Sequence, residues 1–200
     1  ASNKNTHLTV RDCEFNNISW AKEGAAIYYQ AHVEFSLVIE RTTFTNAISI
    51  DALNTDETDI NAAIYVEFVQ NSVLTIDDCN FTSTVKPNYD ACAISLKKTE
   101  TEQRSKAIIN KCVFNNCLSS GNVVYSKIYE LDFTNSEIQG TTAGIYIDPA
   151  FKFTIQHSAF KKLQQAIYCK SDSYVECDCT LSNCVFDSCS TANGCCFDFD

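Results

Sequence analysis

Twelve cysteines are the most chemically capable residues of this 200-residue chain. A thiolate can attack an electrophile or hold a metal, so spacing decides what these residues do. Five lie before position 118, namely Cys13, Cys79, Cys92, Cys112 and Cys117. Seven crowd into the last 32 residues: Cys169, Cys177, Cys179, Cys184, Cys189, Cys195 and Cys196. An even number with no catalytic spacing points to an oxidising, extracellular setting and to disulfides. Cys177-Asp178-Cys179 would serve as one arm of a zinc site, but zinc knuckles pair two such arms, and no second arm is present. His7, His32 and His157 are scattered along the chain, so neither a metal cluster nor a Ser-His-Asp triad can be built from them. The acidic run Asp51, Asp56, Glu57 and Asp59 could hold a loosely bound calcium ion; a solvated acidic loop is the plainer expectation. No cofactor is otherwise expected. Asn17-Ile18-Ser19 and Asn80-Phe81-Thr82 have the form of N-glycosylation acceptors.

The elements that must position these groups come from an internal repeat. Its first phrase is apolar-x-apolar, two polar residues, then Cys or a small hydroxyl, any residue, and Phe. Leu8-Thr9-Val10-Arg11-Asp12-Cys13-Glu14-Phe15 is the first copy, and the phrase returns at 37–44, 74–81, 107–114, 131–138, 153–160 and 179–186. The seven copies start 29, 37, 33, 24, 22 and 26 residues apart. A second phrase, small-Ile-Tyr, follows each copy, as in Ala26-Ile27-Tyr28, Ala63-Ile64-Tyr65 and Gly144-Ile145-Tyr146. Alternation of period two and β-branched content make these segments strands. One such unit cannot bury its own apolar face, whereas stacked units can. The expected fold is therefore all-β, a right-handed parallel β-helix of about seven coils with three short strands per coil. Residues 1–200 would form one domain, a segment of a longer chain or a fibre subunit. Length variation is expected in loops at 45–62, 82–91, 97–106 and 170–178.

Period two also assigns faces. Leu8 and Val10, Leu37 and Ile39, and Leu74 and Ile76 should point inward. Cys13, Thr42, Cys79, Cys112, Ser136, Ser158 and Cys184 should form an inward column of small residues beside an inward Phe column. In that column Cys79 and Cys112 are neighbours and could bond, or stay as stacked thiols. Cys13 and Cys184 have only Thr or Ser beside them. The dense terminal group, Cys169 to Cys196, should staple the last two coils. Tyr28, Tyr65, Tyr125, Tyr146 and Tyr168 should stand outside as a stripe, serving either as a stabilising ladder or as a contact surface for a glycan or a lateral partner.

Two resemblances bear on function. Gly24-Ala25-Ala26-Ile27 and Phe15-Asn16-Asn17 resemble the G-G-A-I and F-x-x-N repeats of the polymorphic outer-membrane-protein family, and related Cys-rich β-helix repeats occur in large surface proteins. That resemblance implies a passenger-type surface module used in adhesion. Asn54-Thr55-Asp56 and Asp77-Asp78-Cys79 look like the N-T-D and D-D-C motifs of polygalacturonases, which implies carboxylates acting as acid and base on a glycosidic bond. Here Glu57 replaces that family's Gly, and neither Gly-His-Gly nor Arg-Ile-Lys follows. The corner occupied by Asp77 and Asp78 holds Arg11-Asp12 and Asn110-Lys111 in other coils, where any polar residue serves.

Composition narrows the classes further. Hydrophobic residues are 45% and charged residues 20% of the chain, which is incompatible with intrinsic disorder. A net charge of -10 disfavours nucleic acid and anionic membranes as partners, and no apolar run is long enough for a helical membrane span. The first expectation is thus a non-enzymatic structural or adhesive module, extracellular or on a cell surface. Its partners would be adjoining coils or further copies end to end, since neither terminal phrase carries a cap. A carbohydrate-active enzyme is the alternative, and a phage-fibre-like receptor binder the third.

Overall fold

The computed structural model describes residues 5–20, 26–49, 62–86, 91–99, 104–119, 121–148, 152–170, 177–189 and 196–199. Every regular element among them is a strand, and every strand pairing is parallel. Each coil contributes one strand to each of three seven-stranded sheets. The first sheet runs from Thr6–Arg11 through Phe35–Glu40, Val73–Asp77, Lys106–Asn110, Glu130–Thr134 and Lys152–Gln156 to Asp178–Ser182. The second begins at Glu14–Asn16 and ends at Val185–Asp187; the third begins at Ile27–Gln30 and ends at Phe197–Phe199. Seven strands at about 4.8 Å make a stack about 29 Å long.

A fourth sheet was not legible in the sequence. It joins Ser19–Trp20, Ile48–Ser49, Val85–Lys86 and Leu118–Ser119, so the first four coils carry four strands rather than three. Two-residue strands are too short to leave a periodic signal. They occupy the extra residues between the second and third sheets of those coils.

Register keeps like over like. Leu8 pairs with Leu37 and Leu37 with Leu74; Val10 pairs with Ile39 and Ile39 with Ile76. Leu37, Ile39, Leu74, Ile76 and Ile109 are fully buried, as the alternation predicts. On the second sheet the inward rings stack face to face, Phe15 on Phe44 at 5.1 Å, Phe44 on Phe81 at 4.7 Å and Phe81 on Phe114 at 4.7 Å. Coil five breaks the column with Ile138, and the adjacent Ile column is broken in the same coil by Phe133. The ring of Phe133 lies 6.1 Å from both Phe114 and Phe160, the rings below and above Ile138. An exchange of positions within one layer therefore keeps its volume nearly constant.

Two corners per coil are turned by single residues in the left-handed region. Asp12, Arg41, Asp78, Lys111, Asn135, His157 and Asn183 sit between the first and second sheets, and Asn17, Asn46, Ser83, Asn116, Gly140, Lys162 and Ser188 follow the second, all with φ between 47° and 65°. Asn and Asp tolerate this conformation better than most side chains, and Gly best of all. Only Gly140 uses glycine for it, where a Cβ would come within 2.6 Å of Asn116 Oδ1.

Candidate interaction surfaces

The inward Cys/Ser/Thr column immediately follows the first corner. Every member donates to the carbonyl two residues earlier: Thr42 Oγ1 to Glu40 O at 2.9 Å, Cys79 Sγ to Asp77 O at 3.3 Å, Cys112 Sγ to Asn110 O at 3.2 Å, and Ser136 Oγ to Thr134 O at 2.7 Å. Cys13, Ser158 and Cys184 repeat the bond at 3.1, 2.8 and 3.3 Å. Hydroxyl members also accept an N–H from the preceding coil, as Ser136 Oγ does from Cys112 at 3.0 Å. The carbonyls also accept an N–H from the left-handed residue of the preceding coil, as Asp77 O does from Arg41 at 3.0 Å, whereas the N–H that follows the corner finds its acceptor in the latch side chain of the next coil. The column is therefore a latch at each corner, a role for which a thiol and a hydroxyl are interchangeable. Sequence reasoning assigned these residues to packing or disulfides; the signal it passed over was restriction of the column to side chains with a short donor.

Ten cysteines are thiols rather than disulfides, and Cys195 and the side chain of Cys92 lie outside what the structure describes. Three pairs of thiols are in hydrogen-bond contact: Cys79 with Cys112, Cys169 with Cys177, and Cys189 with Cys196. The first pair joins adjacent coils, as expected. Cys112 holds its proton well above the ordinary thiol range because the Cys79 thiol lies against it and because it is buried. Cys169, in the sixth coil, is pushed up to about 12 by burial and then by Cys177 and Cys179. Its contact with Cys177 runs between the last two coils as two thiols, without the disulfide that a staple would need. The third pair does not, because both members belong to the seventh coil. Instead Cys189 Sγ reaches back to Phe160 O at 3.3 Å. Burial also raises Cys177 and Cys189. Protonated thiols are poor nucleophiles.

The tyrosine stripe follows the third sheet in register, with Tyr28 on Tyr65, Tyr125 on Tyr146 and Tyr146 on Tyr168 at ring separations of 5.3, 4.9 and 5.0 Å. The expectation that all five stand in solvent needs correction. Tyr65 and Tyr125 are only 2% and 8% exposed, while Tyr28 is 43% exposed. Ser95 separates the two halves of the stripe, and Tyr65, Tyr125 and Ala62 form a small buried cluster outside the main core, with Tyr146 packed against it. Period two gives the face of a sheet, not whether that face is covered. The Tyr125 hydroxyl also lies 3.4 Å from Asp148 Oδ2, which Lys127 Nζ approaches to 2.8 Å.

Of the carboxylates weighed for catalysis, Asp77 is described and engaged. It lies in a polar ladder, accepting from Asn110 Nδ2 at 2.6 Å, while Asn110 Oδ1 accepts from Thr134 and Asn135 at 3.0 and 2.8 Å. Asp78 is one of the left-handed corner residues. Asn54, Asp56 and the remaining acidic-loop residues Asp51, Glu57 and Asp59 lie outside the described residues. His7, His32 and His157 are each exposed, and His157 Nε2 is 3.1 Å from Asn183 Nδ2. Asn17 and Asn80, the glycosylation candidates, are exposed. Among the described residues no three His, Cys, Asp or Glu side chains converge on a point that could hold a metal.

At the two ends of the stack, residues that are core elsewhere are uncovered. Leu8 is 41% and Leu181 42% exposed, in the columns where Leu37 and Ile155 are fully buried.

This parallel register, repeated over seven coils, agrees with a family model described as the right-handed beta helix region, which matches residues 62–199. The chain belongs to the right-handed β-helix family. Comparison with curated proteins and with solved structures finds no match. The β-helix family model covers coils from the second to the seventh, including the third-sheet strand Ile64–Phe68 and the final strand Phe197–Phe199. No helix among the described residues of this β-helix is long and apolar enough to cross a membrane.

Proposed function

We propose that this β-helix is a non-enzymatic structural or adhesive module that works outside the cell or at its surface, in the manner of the surface repeats it resembles. The observation that carries the proposal is the state of Asp77. A carboxylate needed as a catalytic acid or base must face a substrate, whereas Asp77 accepts from Asn110 within a ladder of stacked polar side chains. Other polar groups are likewise used between coils. Arg41 holds Asp12 through Nε and Nη2 at 2.7 and 2.9 Å, Lys106 reaches Glu130 and Asp132 at 2.9 and 2.7 Å, and Lys161 reaches Glu137 at 2.7 Å. Side chains committed to the neighbouring coil support a stack. The cysteine-rich composition and the net charge of -10 support an extracellular setting and argue against nucleic acid as partner.

The adhesive surface in this reading is the accessible part of the tyrosine stripe, Tyr28 with the half-buried Tyr146 and Tyr168, whose rings offer flat apolar faces to a sugar or a lateral partner. The test has two arms. Incubation with polygalacturonate and with alginate should release no new reducing ends or unsaturated products. Release that disappears in Asp77→Asn would overturn the proposal in favour of a carbohydrate-active enzyme. In the second arm, a glycan array should retain the protein, and Tyr28→Ser with Tyr168→Ser should remove that retention at unchanged stability. Retention that survives both substitutions would exclude the stripe.

A further inference from the structure

The two sequons, Asn17-Ile18-Ser19 and Asn80-Phe81-Thr82, have no part in the scaffold reading, and the fold treats them differently. Asn80–Thr82 is a strand of the second sheet, inside the stack, with strands of the second and fourth coils paired on either side. Period two puts Asn80 and Thr82 on its outer face and Phe81 in the core. There Thr82 Oγ1 donates to Asn80 Oδ1 at 3.3 Å. The hydroxyl occupies the acceptor of the amide and leaves Nδ2, the atom that takes a sugar, without a partner among the described residues. Asn80 is exposed, so a sugar attached to it has room to remain in the finished fold. Asn17 instead turns a left-handed corner, where its Oδ1 accepts from Asn46 Nδ2 at 3.0 Å and its amide belongs to the corner ladder.

The surroundings of Asn80 are a second, independent observation. The outward side chains of the second sheet in coils two to four are Thr43, Thr45, Asn80, Thr82, Val113 and Asn115. None carries a charge, although 20% of the chain is charged. Charges return on this face in the coils on both sides, with Glu14 beside Thr43 and Glu137 beside Val113. Val113 is 40% exposed and pairs in register with Asn80, one strand spacing of about 4.8 Å away. A sugar on Asn80 can lie across Val113, removing apolar surface from water and solvating a flat face that lacks charge.

We infer that Asn80 carries an N-linked glycan whose first sugar packs on Val113 and covers the uncharged centre of the second sheet. The inference rests on the extracellular reading above and adds a modification site to it. The glycan stands on a different sheet from the tyrosine stripe, so the proposed contact surface stays open. The transfer forms a bond from Asn80 Nδ2 to the anomeric carbon of an N-acetylated sugar. It breaks the bond from that carbon to the diphosphate of a lipid-linked oligosaccharide donor. The lipid diphosphate leaves, and one amide proton leaves with it.

The test uses the full chain in two preparations. In the first, the chain is isolated from its natural source and treated with peptide N-glycosidase in heavy-oxygen water, which marks each glycosylated Asn as a labelled Asp. Mass spectrometry should find the label at Asn80. In the second, the chain is translated behind a secretory leader with endoplasmic-reticulum microsomes, where acceptor use is read as a gel shift whether or not the chain folds. Asn80→Gln and Thr82→Ala should each remove the Asn80 glycan, and Thr82→Ser should retain it. Packing is read separately, on glycosylated protein. A nuclear Overhauser effect should join the first sugar to the Val113 methyls, and deglycosylation should lower the melting temperature less in Val113→Ser than in the parent.

An unlabelled Asn80 in the natural chain overturns the inference, and the microsomes then say which part failed. Glycosylation of Asn80 there would place the failure in the extracellular reading, whereas an Asn80 left bare there would place it in the acceptor site. A glycan on Asn80 with no contact to Val113, and the same change in melting temperature in both proteins, would overturn the packing. None of these results bears on whether polysaccharide is cleaved, so the scaffold reading is tested apart from them.

Discussion

Coil five offers a direct test of how the core is specified, because it exchanges two residues that every other coil keeps in order. Phe133 occupies the Ile column and Ile138 the Phe column, and both are fully buried. The ring of Phe133 reaches both flanking rings of the interrupted stack, at 6.1 Å each. Phe133→Ile removes those two ring contacts, each about 0.5–1 kcal/mol, and adds a cavity term of about 1 kcal/mol, for a loss of about 2–3 kcal/mol. Ile138→Phe drives a second ring into space that Phe133 already fills, and overpacking of this kind costs about 1–3 kcal/mol. If the sites were independent the double substitution would lose about 3–6 kcal/mol. It should instead restore the uninterrupted column of stacked rings and lose less than about 2 kcal/mol, a favourable coupling of at least about 1 kcal/mol. Urea unfolding of all four proteins measures this, provided the slope m is unchanged, so that shifts in midpoint report stability. Losses that add to within about 0.5 kcal/mol would refute the idea that the two positions share one volume.

Three further outcomes follow from the corners and the thiols. Ser136→Ala removes the latch to Thr134 O and the acceptor for the Cys112 N–H, and should destabilise by about 1–3 kcal/mol; Ser136→Cys keeps a donor and should lose less, and equal losses in urea melts would argue against the latch. Gly140→Ala places a Cβ within 2.6 Å of Asn116 Oδ1 at a φ of 65°, and a thermal melt should show a loss of about 1–2 kcal/mol; an unchanged melt would mean that the corner relaxes without strain. Cys169 keeps its proton in the fold up to about 12, against 9.0 ordinarily. Its contribution is therefore complete below pH 9 and is lost as pH rises from 9 toward 12, because the unfolded chain ionises first. Urea midpoints taken with reductant across that range should fall less steeply for Cys169→Ser, and identical slopes would show that Cys169 is not the group responsible.

Legibility in the sequence followed the strength of the repeat. Alternation at Leu37, Ile39, Leu74 and Ile76 gave the inward face correctly, since a one-residue slip would have turned every apolar side chain to solvent. Corner positions were visible as a polar pair, yet left-handed geometry at Arg41, Lys111 and Lys162 was not, because neither Arg nor Lys signals positive φ. The latch escaped notice because Cys and Ser differ in hydropathy and share only a donor at one atom's reach. Tyr65 and Tyr125 were placed on the correct face with the wrong exposure, because their cover comes from neighbouring rings and Ala62 rather than from alternation. Compensation between Phe133 and Ile138 is a relation across a layer, and a one-dimensional period cannot express it.

Each copy of the repeat covers seven steps from its first inward apolar residue to its Phe-column residue, as from Leu8 to Phe15, Leu74 to Phe81 and Cys179 to Phe186. Two left-handed corners and one latch fix that half of the coil, and there a single inserted residue would shift every column beyond it. All length variation falls in the other half, between the second sheet and the next copy. A lineage that duplicates or trims whole coils keeps the columns intact, and one that lengthens the tolerant half acquires new outer surface at no cost to the stack. The same division tells an engineer where to graft: foreign loops belong after the second corner, and the first eight residues of each repeat should be left as they stand.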